Sequence, residues 1–348
     1  MMKRTVCVGG IVLLAAIVLV AMAGVGNTAL AAEKVYRWKC QVHWPAASVS
    51  YKASAEVVIH RLKERTGGRL DIQLYAAGAL VPSKEIFNAV KRGMIEIAVS
   101  PPQYYQAQVP LGAVGSGLPF NFKEVWECAY FYKWLGFEDM LRDACAKHGL
   151  YYSTDKVYVT ELACKKPLHT MDDFKGLKLR SSGVLQLYLT AIGAAASYIP
   201  GSEIYPSLAS GVIDGAHWGA VQGNSSMGFY EICKYHLKPC LNIAGTDAWL
   251  VNLDAMKKLP EDIQKILVAT LDEHFWMRTN QYIYLEEKTL PGVVEKHGVA
   301  VSELLPEEYI KLQKAAMPIW DDVAKKSPEC AKAVEMLVEF NRSLGRLK

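Results

Sequence analysis

Residues Phe174 to Asn224 read FKGLKLRSSGVLQLYLTAIGAAASYIPGSEIYPSLASGVIDGAHWGAVQGN, and their periodicity decides the fold class. Leu177 and Leu179 alternate with Lys178 and Arg180, the pattern of a half-buried strand, and Ser181-Ser182 supplies a helix N-cap. Val184, Leu185, Leu187, Tyr188, Ala191 and Ile192 then fall at helical spacing. Ser197–Ile199 reads as a short strand, and Pro200-Gly201-Ser202 opens a second helix. Gly211 follows that helix as its C′ residue, and Val212-Ile213-Asp214 begins a third strand. Strand alternating with helix is an α/β design.

This register puts Arg180 where a strand ends and a helix begins. Ligands of open α/β sheets bind outside the carboxyl ends of strands, where helix N-terminal N–H groups also favour anions. A guanidinium there can hold a carboxylate bidentately and stays charged at any physiological pH. The pattern alone equally fits an arginine at a strand edge, facing water or a surface glutamate.

The chain begins with Lys3 and Arg4, an apolar run from about Val6 to Val25, and Ala29-Leu30-Ala31. Basic region, apolar region and A-x-A site predict a secretory signal peptide over residues 1–31, cleaved near Ala31, and hence an exported protein. No later stretch is long and apolar enough to span a bilayer. What remains is more than one core usually takes, so two lobes are expected. The net charge of +4 is small and scattered, without a basic cluster for nucleic acid or a membrane surface. Cys40, Cys128, Cys145, Cys164, Cys233, Cys240 and Cys330 contain no C-x-x-C pair. Cys233 and Cys240 are within reach of a bridge, but the odd count favours free, buried thiols.

Tyr36, Trp38, Cys40 and Val42 alternate with polar residues, the first mature strand. It runs into His43-Trp44-Pro45 and a helix to about Arg65. Leu70, Ile72 and Leu74 mark the second strand, Ser83 to Arg92 a helix, and Met94 to Val99 the third strand, followed by Pro101-Pro102-Gln103-Tyr104-Tyr105. This half repeats the other. Asn88 to Ala98 matches Pro206 to Ala216 as helix end, glycine, two apolar residues, an acid and an alanine two residues later. Lys123 to Lys147 reads as helical, with Trp126, Tyr130, Phe131 and Trp134 as core. Tyr151 to Leu162 and Leu241 to Leu253 read as strands crossing between lobes. Pro260 to about Thr289 reads as one helix of about 45 Å, longer than a lobe, ended by Pro291-Gly292. A further helical stretch runs from about Pro306 to Asn341.

Signatures of catalysis are missing: there is no G-x-S-x-G, G-x-x-x-x-G-K-[ST], H-E-x-x-H, or G-x-G-x-x-G after a strand. The strand-end loops offer aromatic and polar groups instead. His43 and Trp44 follow the first strand, Tyr104 and Tyr105 the third, and Arg180, His217, Trp218 and Asn224 come from the second half. Facing lobes would gather them in one cleft, with an arginine for an anion and aromatics to exclude water.

These residues resemble the solute-binding proteins (DctP family) of tripartite ATP-independent periplasmic (TRAP) transporters, over essentially the whole mature chain. The resemblance is carried by Thr66-Gly67-Gly68 with LDIQLYAAGAL, by the helix–Gly93–MIEIA segment, and by DDFKGLKLR (Asp172 to Arg180). EIYPSLASGVIDGAHW (Glu203 to Trp218) and LDAMKKLPEDIQKIL (Leu253 to Leu267) carry the rest. It implies a two-lobed α/β periplasmic binding protein, of the Venus flytrap kind, with hinge strands and a long helix spanning both lobes. Lobe I would be residues 32–156 with about 243–275, and lobe II residues 157–242 with about 276–348. It implies a binding protein rather than an enzyme, which captures an organic acid in the periplasm for an ion-gradient-driven membrane permease, as a monomer or a dimer. Arg180 falls on the family's carboxylate-binding arginine. SPPQYY and the His217-Trp218 pair resemble the branch that binds 2-oxo or 2-hydroxy monocarboxylates, in which Tyr104 or Tyr105 would touch the ligand and Trp218 line the pocket. No second arginine clearly matches the far end of a dicarboxylate, which favours a monoacid, and the aromatic residues would suit an aryl or branched acid as well as a small one. Members of that branch place a carboxylate before this tryptophan to hold a metal ion. His217 stands there instead, which leaves a co-bound sodium or calcium open, with Glu161 and Asp247 as the candidate acids for holding it.

Overall fold

Two long strands carry the chain between its two sheets. In the computed structural model, which describes residues 33–346, eleven strands run in chain order as β1 Tyr36–Val42, β2 Leu70–Tyr75, β3 Ile97–Ser100, β4 Leu150–Thr160, β5 Ala163–Cys164, β6 Lys178–Arg180, β7 Ala195–Ser197, β8 Gly215–Ala216, β9 Tyr235–Lys238, β10 Asn242–Asn252 and β11 Ala300–Glu303. The expected signal peptide, residues 1–31, lies outside the described residues. One sheet has the order β2-β1-β3-β10-β4 and the other β11-β9-β5-β8-β6-β7. The β4–β5 step leaves the first sheet for the second, and the β9–β10 step returns. Both sheets are mixed: β1 pairs in parallel with β2 and β3, whereas β10 runs antiparallel to β3 and β4. Two lobes joined by crossing strands result, as the sequence implied.

The internal repeat is visible in the backbone. Gly93 and Gly211 each follow a helix with φ of 69° and 78°, a conformation only glycine adopts freely, and a strand begins four residues later. Both strands start later than the apolar pattern suggests. Met94 and Val212 are 54% and 58% exposed, so they belong to the turn and not to the strand.

Three helical boundaries also differ from expectation. The long helix extends over Glu261–His297, 37 residues and about 55 Å, and runs through Pro291-Gly292 to stop at Gly298. Leu290 and Val293 pack into the core beside Val299, and that burial outweighs the roughly 3 kcal/mol an internal proline costs. The C-terminal stretch is two helices, Pro306–Ala324 and Pro328–Ser343, because Ser327 precedes a proline and adopts an extended backbone while its hydroxyl caps Cys330 N. The Lys123–Lys147 stretch breaks at Gly136 into Val125–Lys133 and Phe137–Ala146. Of the four aromatics expected as core, only Phe131 is; Trp126, Tyr130 and Trp134 are exposed. All seven described cysteines are unbridged, and all but Cys240 are buried. No helix among the described residues is long and apolar enough to cross a membrane.

Candidate functional site

The carboxyl ends of β1, β3, β6 and β8, with the middle of the crossing strands β4 and β10, surround one cavity. Its lining includes His43, Trp44, Ser48, Ser50, Gln103, Tyr104, Lys156, Tyr158, Arg180, Ser182, His217, Trp218, Asp247 and Tyr282. The room inside is about 50 Å³. At roughly 10–15 Å³ per water position, that is space for a solute of a few heavy atoms. The lobes meet over it. Trp218 Nε1 donates to Ser48 Oγ at 3.1 Å and Val49 N donates to Ser226 Oγ at 3.2 Å. A Cβ on Gly183 would lie 2.7 Å from Gln103 Cβ, so glycine is what lets the Arg180 loop close against the loop after β3.

Arg180 is the last residue of β6, 2% exposed. Its Nε donates to Ile199 O and its Nη1 to His217 O, both at 3.0 Å. Its guanidinium carbon lies 5.3 Å from the Trp218 ring and 5.8 Å from the Tyr198 ring. No carboxylate among the described residues pairs with it. Carbonyls and ring faces thus hold this buried guanidinium in one orientation.

The flanking groups are locked in protonation and pose. His217 is buried; burial and the adjacent Arg180 hold its imidazole well below the usual range, so it is neutral, with Nε2 3.0 Å from Ser181 Oγ. Trp218 N donates to Asn224 Oδ1 at 2.6 Å, and Asn224 Nδ2 donates to Glu161 O at 3.1 Å. On the opposite wall His43 Nε2 lies 2.7 Å from Asp247 Oδ1, while its Nδ1 has no partner among the described residues. Lys156 Nζ donates to Asp247 Oδ2 at 2.6 Å and to Asp155 Oδ2 at 3.0 Å. Burial acts to raise the Asp247 carboxyl, but Lys156 and His43 outweigh it and hold it below its ordinary range.

Six of the eight side chains expected in the cleft line this cavity: His43, Trp44, Tyr104, Arg180, His217 and Trp218. Tyr105 does not reach it. Its ring is fully buried in the core of the first lobe, stacked on Phe87 at 4.7 Å, because consecutive residues of the 3₁₀ turn after β3 point apart. Asn224 is fully buried one residue beyond the lining Gly223 and braces the Trp218 backbone. Of the two acids considered as metal ligands, Asp247 faces the cavity. Glu161 does not: it sits behind the wall, 2.8 Å from His236 Nε2 and 2.5 Å from Lys238 Nζ. Lys156 and Tyr158 were missed in the sequence. The signal was an Asp-Lys pair inside an otherwise uncharged strand, where a charge is rarely placed without a partner.

The sequence profile of bacterial extracellular solute-binding proteins, family 7 (DctP), matches residues 41–327. The chain belongs to this family. Like the other members of the DctP family, it is a solute-binding protein and not an enzyme. A monocarboxylate 2-oxoacid-binding periplasmic protein of Nostoc sp. is 27% identical over 311 residues, 88% of this chain and 85% of that one. Two solved structures of TRAP solute-binding proteins share the fold at 22% identity and a TM-score of 0.82. One, from Bordetella bronchiseptica, has copurified calcium and picolinate and is covered over 93% of its length. The other, from Pseudoalteromonas atlantica, has bound sodium and pyruvate and is covered over 95%; each aligns with 90% of this chain.

Proposed function

We propose that this DctP-family chain captures a small 2-oxo or 2-hydroxy monocarboxylate in the periplasm, through a salt bridge to Arg180, and delivers it to the membrane permease of a TRAP transporter. The lobes are taken as residues 32–156 with about 243–275 and residues 157–242 with about 276–348, closing on the ligand as it bridges them. The observation that carries the reading is Arg180: a buried cation at the wall of a cavity, with no carboxylate among the described residues beside it. The small volume supports a compact acid over an aryl one, and the 2-oxoacid-binding relative from Nostoc supports the same class. Across the cavity no second arginine lines the wall, which favours a monoacid over a dicarboxylate.

His43, Tyr104 and Trp218 would enclose the acid's carbon end, Trp44 lying behind Lys156 and His217 beside the guanidinium. The residues do not fit a bound metal ion. Among the described residues Asp247 is the one acid on the wall, and its two oxygens are already paired with His43 and Lys156.

Calorimetry with pyruvate, lactate, a branched 2-oxo acid and succinate tests the reading. Binding of a monocarboxylate, lost by about 2–5 kcal/mol in Arg180→Ala, is the expected result. Tighter binding of succinate would move the assignment to dicarboxylates. Unchanged affinity in Arg180→Ala would overturn it.

A further inference from the structure

The cleft holds a second cation of its own. Lys156 stands in the middle of β4, 1% exposed, with its Nζ between Asp247 and Asp155 and 4.6 Å from the centre of the Trp44 ring. Asp155 is held in turn by Trp249 Nε1 at 2.8 Å and Ser54 Oγ at 3.0 Å, which fixes the buried carboxylate the ammonium pairs with. An ammonium has three N–H donors, and two are committed to these aspartates. The side chain lines the cavity that Arg180 lines.

The same wall is poor in the free carboxylates that a metal ion favours. Calcium takes about 6–8 oxygen ligands, carboxylates prominent among them, and sodium competes for the same kind of cage. Among the described residues no three His, Cys, Asp or Glu side chains come together to hold an ion. Asp247, the only acid among the described residues that lines the cavity, gives one oxygen to Lys156 and the other to His43. A metal ion would have to break these contacts and then stand between an ammonium and a guanidinium.

We propose that the Lys156 ammonium is the resident cation of this cleft, donates its remaining N–H to the oxygen on the second carbon of the bound acid, and makes binding independent of sodium and calcium. The choice of ligand rests on the carboxylate reading of Arg180; the claim about metal rests on Lys156 and Asp247.

The experiment uses the mature chain, dialysed against EDTA in a sodium-free potassium buffer. Terbium is titrated in and followed by luminescence sensitised by the tryptophan and tyrosine rings of the wall. Pyruvate and propionate are titrated by calorimetry in that buffer, with calcium added, and with sodium added. The expected results are no saturable terbium signal and a pyruvate affinity equal within about three-fold in the three buffers. In Lys156→Gln the preference for pyruvate over propionate is expected to fall by about tenfold or more, whatever loss the two acids share; an unchanged preference would overturn the contact with the oxygen on the second carbon. Saturable terbium luminescence, or pyruvate affinity lost on chelation and recovered with calcium or sodium, would overturn the proposal. Both metal arms use the wild-type chain and decide the point whether or not Lys156→Gln folds. If neither acid binds in any buffer, the carboxylate reading fails, and the terbium arm still decides the metal claim.

Discussion

Arg180 Nη1 donates to the carbonyl oxygen of His217 at 3.0 Å, so the guanidinium is fixed by the backbone just past the strand beside its own. The Nε bond to Ile199 O fixes the second edge of the fork. Preorganisation of this kind lowers the ordering cost of binding and presents the remaining donors to the cavity in one orientation.

Arg180→Lys should therefore be a poor substitute. A lysine keeps the charge, but a single ammonium cannot satisfy Ile199 O, His217 O and a carboxylate in one plane. The expected loss is about 1.5–3 kcal/mol of binding, on the order of ten- to a hundredfold, with a melting temperature within a few degrees of wild type. Calorimetry on the tightest ligand found for the wild type checks it; affinity within two- to three-fold of wild type would show that charge alone matters and that the fork does not.

Trp218 is held as firmly, by its N–H bond to Asn224, its indole bond to Ser48, and the absence of any side chain on Gly201. A Cβ at 201 would sit 2.4 Å from Trp218 Cη2 and 2.9 Å from Cζ3. An indole is rigid, so Gly201→Ala has to turn the ring and break the contact with Ser48 that closes the lobes. Binding is expected to weaken by about 1.4 kcal/mol or more, a tenfold change. Unaltered affinity together with unaltered tryptophan fluorescence would show that the ring has room to yield.

How far the sequence revealed all this depended on the range of the interaction. Leu177 and Leu179 alternating with Lys178 and Arg180 placed Arg180 at a strand end, because that pattern is local and has period two. The crossing strands and the long helix were legible for the same reason. The fates of Tyr104 and Tyr105 were not: adjacent residues in a turn point apart, and which one meets the cleft depends on Phe87, distant in sequence. Nor was the pairing of Lys156 with Asp247, 91 residues away, since nothing local marks the partner of a buried charge. Trp126 and Trp134 look like core in a helical window, yet the side of the helix they occupy is exposed.

Pro291-Gly292 inside the helix Glu261–His297 is a weak point that tertiary packing overrides. Both residues are exposed, and a Cβ on Gly292 would meet nothing within 4 Å. Gly292→Ala should add about 1 kcal/mol to stability, and Pro291→Ala up to about 3 kcal/mol by restoring a backbone donor. Thermal melting checks both. A lower melting temperature for either would mean that the interruption shapes the docking of Val293 and the last turns.

Glu286 makes stability depend on pH. Burial, and then the charge of Glu161, push its carboxyl up to about 7 from the ordinary 4.5. The folded chain therefore holds a proton between about pH 4.5 and 7 that the unfolded chain has released, and this contribution is lost as pH rises through 7. Over that window the cost amounts to roughly 3 kcal/mol, at about 1.4 kcal/mol per pH unit. Glu286→Gln keeps a carbonyl oxygen to accept the bond from Gln222 N and removes the titration. The variant should be more stable than wild type at pH 8 and no more stable at pH 4.5, where wild-type Glu286 is itself neutral. Denaturant unfolding at the two pH values reads the difference directly. A gap of the same size at both would mean that packing, and not the proton, sets the effect of this residue.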